Sequence, residues 1–499
     1  MKLFKKIAGF ILAFAMILAI AMPSVVMAEG NGSITITGAK DGHTFEAYQI
    51  FTGDVSGTGT NTKLSNIEWG IGVTDKGKTQ LGNAKDKAKS LKNRSDAITF
   101  AYQVSKYLKT ASAKETNVYN NGNYVINDLA PGYYLVKDKD GTVPPEQTYT
   151  QFILQVVGND VSAEVKSSVP TSEKKVKDTN DTEGTTTGWQ DSADYDIGDE
   201  VPFQLTGHVA NDYNEYKSAY QLVFHDTLSK GLTLNRDSLR VYKNDSDEAL
   251  DQNQYKIKVS IANDQQFTVT IPDVKALGTG VEKVRVEYTA ELNENAVIGS
   301  LGNPNTMYME FSNNPNNEQG GDKEQTPKDK VIVFTYKTVI NKINSEHQSL
   351  KGAAFKLEKV LKDNSTELVK KYEIKNDVDR DRTSFEFTGL DDGKYILTET
   401  ETPDGYNTMQ PITFSITAGH DTVSPDPELK ELNGKKVNGE ITFTIDKEKG
   451  TLTADVVNYK GSQLPSTGGM GTTILYVAGA VMILAAGAFL VMQKKAEDK

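Results

Sequence analysis

The chain contains no cysteine among its 499 residues, which excludes disulfides, a thiolate nucleophile and every cysteine-ligated metal centre. Histidine is almost as scarce. The five present are scattered, so neither a clustered zinc site nor a Ser/His/Asp constellation is visible. Positive charge is in deficit: the net charge is −12 and no basic block stands out, so no nucleic acid partner is expected. A chain that must persist outside the cell without disulfides needs another kind of crosslink.

What is present begins at the two ends. Lys2, Lys5 and Lys6 precede an apolar stretch from Ile7 to Ile20, and Val26-Met27-Ala28 supplies small residues at a cleavage point. This pattern predicts a secretory signal peptide over 1–28, which is set aside from the fold. At the other end, Leu464-Pro465-Ser466-Thr467-Gly468 stands before an apolar run from Ile474 to Met492, followed by Lys494-Lys495. A run of that length as a helix spans roughly 28 Å, enough for the hydrocarbon core of a bilayer, and the lysine pair marks its cytoplasmic side. Residues 462–499 are therefore read as a segment with a transmembrane helix.

About 440 residues remain, too many for one core. From Ser33 to Tyr459, short segments rich in Val, Ile, Thr, Tyr and Phe alternate with Gly, Asn and Asp clusters. That alternation predicts a mainly β chain of tandem immunoglobulin-like sandwiches. Two linker-like places, Ser167 to Thr171 and the polar stretch Asn313 to Lys330, divide it into modules over 29–168, 169–330 and 331–461. One helical insertion is expected in the first module, from Asp86 to Leu108, where Ala88, Leu91, Ile98 and Tyr102 recur near helical spacing. The stretch Asp128–Asp138 also matches Gly389–Glu399 in pattern, which suggests that the first and third modules are related.

The pentapeptide at 464–468 resembles the LPxTG sorting signal of Gram-positive surface proteins, which implies that 462–499 is a sorting signal and that its transmembrane helix is temporary. Further stretches are similar to sortase-assembled backbone pilins. Tyr395-Ile-Leu-Thr-Glu399 with Pro403-Asp-Gly405-Tyr406 resembles their E-box and following turn. Val339-Ile-Asn-Lys342 and Ala454-Asp-Val-Val-Asn458 resemble the opening and closing strands of collagen-adhesin B-type domains. The middle module resembles the A-type domain through Lys174-Lys-Val176, Tyr195-Asp-Ile-Gly, Phe224-His-Asp226 and Gly302-Asn-Pro-Asn305. The resemblance implies a Lys–Asn isopeptide bond beside a buried acid in each: Lys342–Asn458 with Glu399, and Lys174–Asn305 with Asp226. It also implies cleavage between Thr467 and Gly468 by a sortase, with transfer of Thr467 to a lysine of the next subunit or to peptidoglycan. The partners implied are a class-C pilus sortase, a housekeeping sortase, identical subunits and ancillary pilins.

Strand phase supports these trios independently, because side chains alternate faces along a strand. Lys342 is in phase with Ile340 and Tyr336, Glu399 with Leu397 and Tyr395, and Asn458 with Val456 and Ala454. Lys174 shares phase with Val176, Asp226 with Phe224 and Leu228, and Asn305 with Met307 and Met309; Asn313 has the same phase and stays an alternative. Burial drives a lysine towards its neutral amine and a carboxyl towards its acid form, the states an amide exchange needs. The first module offers Lys137 and Asp138 at the E-box position and no Asn on its closing strand, so no crosslink is expected there. Lys166 follows that closing strand and falls opposite in phase to Val161, Ala163 and Val165, where an intermolecular amine should face solvent. It stands in the place of the pilin-linking lysine but lacks the usual Tyr-Pro before it; Lys174 and Lys175 remain alternatives.

Asp377-Val-Asp379-Arg-Asp381 looks like the start of a calcium loop. Arg382 and Thr388 occupy the positions that require Gly and an acid, so it reads as a charged turn. His225 beside Asp226 lies on the opposite strand face. No metal, cofactor or turnover chemistry is expected. The function expected is a covalent pilus shaft subunit, secreted and wall-anchored, with a monomeric wall-anchored adhesin or tip pilin as the alternative.

Overall fold

The computed structural model describes residues 32–57, 62–165, 168–260 and 265–461. The two apolar end segments, the 464–468 motif and Lys166 lie outside the described residues, within which no helix is long and apolar enough to cross a membrane.

The alternation of β-branched and polar residues folds as three successive β-sandwiches. In the first, Gly32–Thr37 runs between Asn123–Leu129, antiparallel, and Val161–Glu164, parallel. The facing sheet is built on Phe45–Ser56 and Gly132–Asp138. The third module repeats this plan: Tyr336–Asn344 lies between antiparallel Ser384–Leu390 and parallel Thr451–Asn458. Its second sheet runs Thr366–Lys371, Ala354–Val360, Gly393–Glu401, Ile412–His420, Leu429–Asn438. The shared plan puts Asp138 and Glu399 at the ends of corresponding strands, as the matched sequence stretches imply. The middle module packs a sheet containing Thr171–Val176, Glu200–His208 and Lys283–Leu292 against one containing Leu222–Leu228 and Asn303–Ser312.

Three differences from the sequence reading have clear causes. The expected single helix is three short ones, Asp75–Leu81, Ala84–Ser90 and Arg94–Ser105. Asn93 breaks the expected span and Asn83 lies before it; each leaves helical geometry and caps the following helix, their side chains accepting from Asp96 N and Asp86 N. The polar stretch from Asn313 is not an open linker. Asn316 donates to Thr150 O at 2.7 Å and accepts from Phe152 N at 3.1 Å, Tyr149 N donates to Asn313 O, and Tyr102 OH donates to Pro315 O. The stretch thus brackets the first module to the second, and Lys323–Gln325 then pairs with Asn303–Ser312.

The third difference concerns the boundary at 330/331. The strand Asp329–Phe334 pairs with Asn303–Ser312, so it belongs to the middle sheet, and the chain passes to the third module at Thr335. Its two faces serve two cores. Val331 and Val333 pack in the middle core, whereas Ile332 and Phe334 pack in the third. A period-two strand buried on both sides makes the junction part of both interiors. Close by, Gly299 (φ +92°) lies against Gly450. A Cβ on Gly299 would come within 2.5 Å of Gly450 N, so only glycine allows this approach.

Candidate functional site

In the third module, the trio named from sequence is brought together inside the core. Lys342, Glu399 and Asn458 lie on three strands split between the two sheets, and all are buried. Asn458 Nδ2 donates to Glu399 Oε1 at 2.8 Å and Oε2 at 3.1 Å, while Asn458 Oδ1 has no partner. Met409 N donates to Glu399 Oε2 at 2.9 Å and fixes the carboxyl in place. Among the described residues, Lys342 Nζ has one hydrogen-bond acceptor, Val456 O at 3.0 Å. One acceptor for up to three N–H groups is poor solvation for an ammonium. Burial accordingly pulls the Lys342 amine down to about 8, against the opposing pull of the Glu399 charge.

The middle module assembles a tighter version. Lys174 Nζ lies 2.5 Å from Asp226 Oδ2 and 3.0 Å from Tyr288 OH. Tyr288 OH donates to Asp226 Oδ2 at 2.9 Å and accepts from Asn305 Nδ2 at 2.7 Å. Lys174 and Asn305 are fully enclosed and Asp226 is nearly so; Asp226 Oδ1 and Asn305 Oδ1 lack partners. Burial drives the Lys174 amine down and the Asp226 carboxyl up, so both are pushed towards their neutral forms. Asn305 is the residue at this site. Asn313 stands eight positions along, roughly 25 Å at strand spacing, where its carbonyl serves Tyr149. Lys175 points the other way and pairs with Asp191 at 2.5 Å. His225 stacks on Tyr308 across the opposite face.

Two features went unread in the sequence. Tyr288 occupies a core phase with Val284, Val286 and Ala290, and there a tyrosine looks like packing; its hydroxyl is what joins all three reacting groups. Burial holds that phenol well above its ordinary value, so it stays protonated and able to donate. The second feature is a buried polar pair at the corresponding place of the first module. Asp138, at the position corresponding to Glu399, accepts from Thr150 N and Oγ1, and its Oδ1 lies 2.6 Å from His43 Nδ1. Burial opposes charge on His43, but the hydrogen bond and charge of Asp138 outweigh it and raise its affinity for a proton. A histidine–aspartate pair stands here where the third module has Lys342, Glu399 and Asn458.

Comparison with known proteins agrees with this architecture. Residues 337–426 match the SpaA family, described as a prealbumin-like fold domain, and residues 456–499 match the LPXTG cell wall anchor motif. The trypsin-resistant surface T6 protein of Streptococcus pyogenes serotype M6 is 26% identical over 401 residues, covering 66% of this chain and 70% of that protein. The solved T6 backbone pilin of the same serotype, itself a modular three-domain structure, superposes with a TM-score of 0.57 at 19% identity, covering 88% of this chain and 100% of that one. The full-length major pilin SpaD of Corynebacterium diphtheriae gives a TM-score of 0.51 at 18% identity, covering 87% and 98%. The chain is thus a cell-wall-anchored extracellular protein of tandem β-sandwiches. It shares its fold with the T6 backbone pilin and the major pilin SpaD.

Proposed function

We propose that this chain is the shaft subunit of a covalent pilus, closed internally by two Lys–Asn amides and joined to its neighbours from Thr467 to Lys166. The observation that carries the internal bonds is the burial of an amine, a carboxyl and a carboxamide together in two separate cores. In the third module the neutral Lys342 Nζ attacks Cγ of Asn458. A half-turn of the amide brings the unpartnered Oδ1 to Glu399, whose acid form donates to the developing oxyanion. A proton from the attacking nitrogen passes through the carboxyl to the departing amino group, and ammonia leaves as the amide forms. Asp226 takes the acid's part in the middle module, with Tyr288 holding the Asn305 amide.

Each bond forms once, so the protein is a reactant and not a turnover enzyme. Its substrate role is at Leu464-Pro465-Ser466-Thr467-Gly468, where a sortase exchanges the Thr467–Gly468 amide for one to a lysine or to the cell wall. Lys166 supplies that lysine in this reading because it directly follows the first module's closing strand Val161–Glu164. Immunoblots of cell-wall extracts test the assembly. Wild type should give a covalent ladder, and Lys166→Ala should give monomer still attached to the wall, because Thr467 is still cleaved. A ladder that survives Lys166→Ala and vanishes with Lys175→Ala would assign the linkage to Lys175.

A further inference from the structure

At the junction of the second and third modules, three potential ligands from three separate segments face one another. Asp178 and Asp194 come from the middle module and His420 from the end of Ile412–His420 in the third. Their ligand atoms all lie within 4.8 Å of one another. Asp194 is 2% exposed, its Oδ1 lying 4.0 Å from His420 Nε2 and the Tyr336 hydroxyl beside it. Burial raises the carboxyl's proton affinity, and a cation at this position would offset the cost of its ionised form.

The histidine tautomer sharpens the point. Ser192 Oγ donates its only proton to Asp421 O at 2.5 Å, a carbonyl that can only accept. Ser192 Oγ is also 2.7 Å from His420 Nδ1, so the proton in that contact belongs to Nδ1. Nε2 therefore faces the carboxylates, 3.5 Å from Asp178 Oδ2 and 4.0 Å from Asp194 Oδ1. Two ligands each about 2.1 Å from a tetrahedral ion stand about 3.4 Å apart, close to the 3.5 Å between Nε2 and Asp178 Oδ2. A metal-bound imidazole has its other ring nitrogen held by a hydrogen bond, as Nδ1 is held here by Ser192.

We propose that Asp178, Asp194 and His420 bind one zinc-type divalent ion that clips the middle module to the third. Two carboxylates and an imidazole suit zinc or a similar borderline ion better than calcium, which takes more oxygen ligands. The neighbouring acidic group Asp181, Asp196 and Asp199 differs, because it already holds a cation. Lys359 Nζ lies 2.9 Å from Asp181, 2.5 Å from Asp196 and 2.6 Å from Asp391. The zinc site is independent of pilus assembly and is read on the isolated extracellular part, free of any tag.

Cobalt(II) is a suitable probe, since tetrahedral coordination gives visible ligand-field bands. After chelator treatment, the wild-type protein should develop these bands, saturate at one equivalent and lose them when zinc is added. His420→Ala should abolish them. Asp178→Asn, at a less buried position, should weaken binding at least tenfold and serves if His420→Ala does not fold. A wild-type protein that binds neither cobalt nor zinc at micromolar concentration overturns the proposal, as does a folded His420→Ala protein with unchanged stoichiometry.

Discussion

Replacing Glu399 with Gln isolates the third-module amide. Gln keeps the volume, can still accept from Met409 N, and can offer its own amide to Asn458, so the contacts around the site change little. What it lacks is an acid proton. The Lys342–Asn458 bond would close a loop over residues 342–458, roughly 115 residues. Chain-entropy bookkeeping for a crosslink of that size gives about 5 kcal/mol of lost unfolded-state freedom. For a module of this length, 1 kcal/mol moves the melting temperature by roughly 3–5 °C, so the third module should melt roughly 15–25 °C lower without its amide. Both tryptophans, Trp69 and Trp189, lie outside the third module, so calorimetry is the appropriate readout. The wild-type extracellular part should weigh less than its sequence by two ammonia molecules, and Glu399→Gln by one. A Glu399→Gln protein that still lacks both ammonias refutes the acid role. A wild-type mass equal to the sequence refutes the crosslinks altogether.

Tyr288→Phe removes the hydroxyl shared by Lys174, Asp226 and Asn305, leaving Asn305 Nδ2 unpaired at about 1–3 kcal/mol; intact mass should show the middle amide forming slowly or not at all. If that amide is complete on first isolation, Tyr288 only packs. The His43–Asp138 pair gives the first module a pH dependence of definite sign. Because folding raises the proton affinity of His43, its stabilisation is complete below the unfolded value of 6.5 and is lost as pH rises through the higher folded value. The melting transition followed by Trp69 should fall over that window, and His43→Gln should flatten the dependence; an unchanged profile in the variant would remove His43 from the account.

Much of this was legible because β-structure has a period of two. A lysine, an acid or an asparagine that shares a face with Ile340, Leu397 or Val456 must enter the core, and phase alone separates Lys174 from Lys175. What stayed hidden depends on pairing between strands. Tyr288 became a bridge only when Lys283–Leu292 settled beside Glu200–His208 and opposite Asp226. From sequence, strand Asp329–Phe334 divides between a linker ending at Lys330 and the third module, because a strand shared by two cores carries no alternation to read. Asn313 to Asp322 has the composition of an open loop. It is ordered by side-chain amides that bond the backbone of another module, which composition does not reveal. Asp178, Asp194 and His420 have no spacing to recognise, since the third ligand arrives from a different module.

The positions of the two proposed amides have a mechanical logic if subunits are joined from Thr467 to Lys166. Tension entering at Lys166 reaches Lys174, crosses to Asn305, follows the chain through the shared strand Asp329–Phe334 to Lys342, crosses to Asn458 and leaves at Thr467. Residues 175–304 and 343–457 lie off that path. Without the middle amide, unravelling of its roughly 130 bypassed residues at about 3.4 Å each would lengthen a subunit by on the order of 400 Å. With it, unfolding of the module lengthens the shaft very little. The first module precedes Lys166 and hangs beside the path, so it bears no tension, and a reversible His43–Asp138 pair is sufficient there. A metal clip between Asp178, Asp194 and His420 also connects two bypassed regions. It would therefore resist bending between modules rather than extension, a distinct load that the two amides do not control.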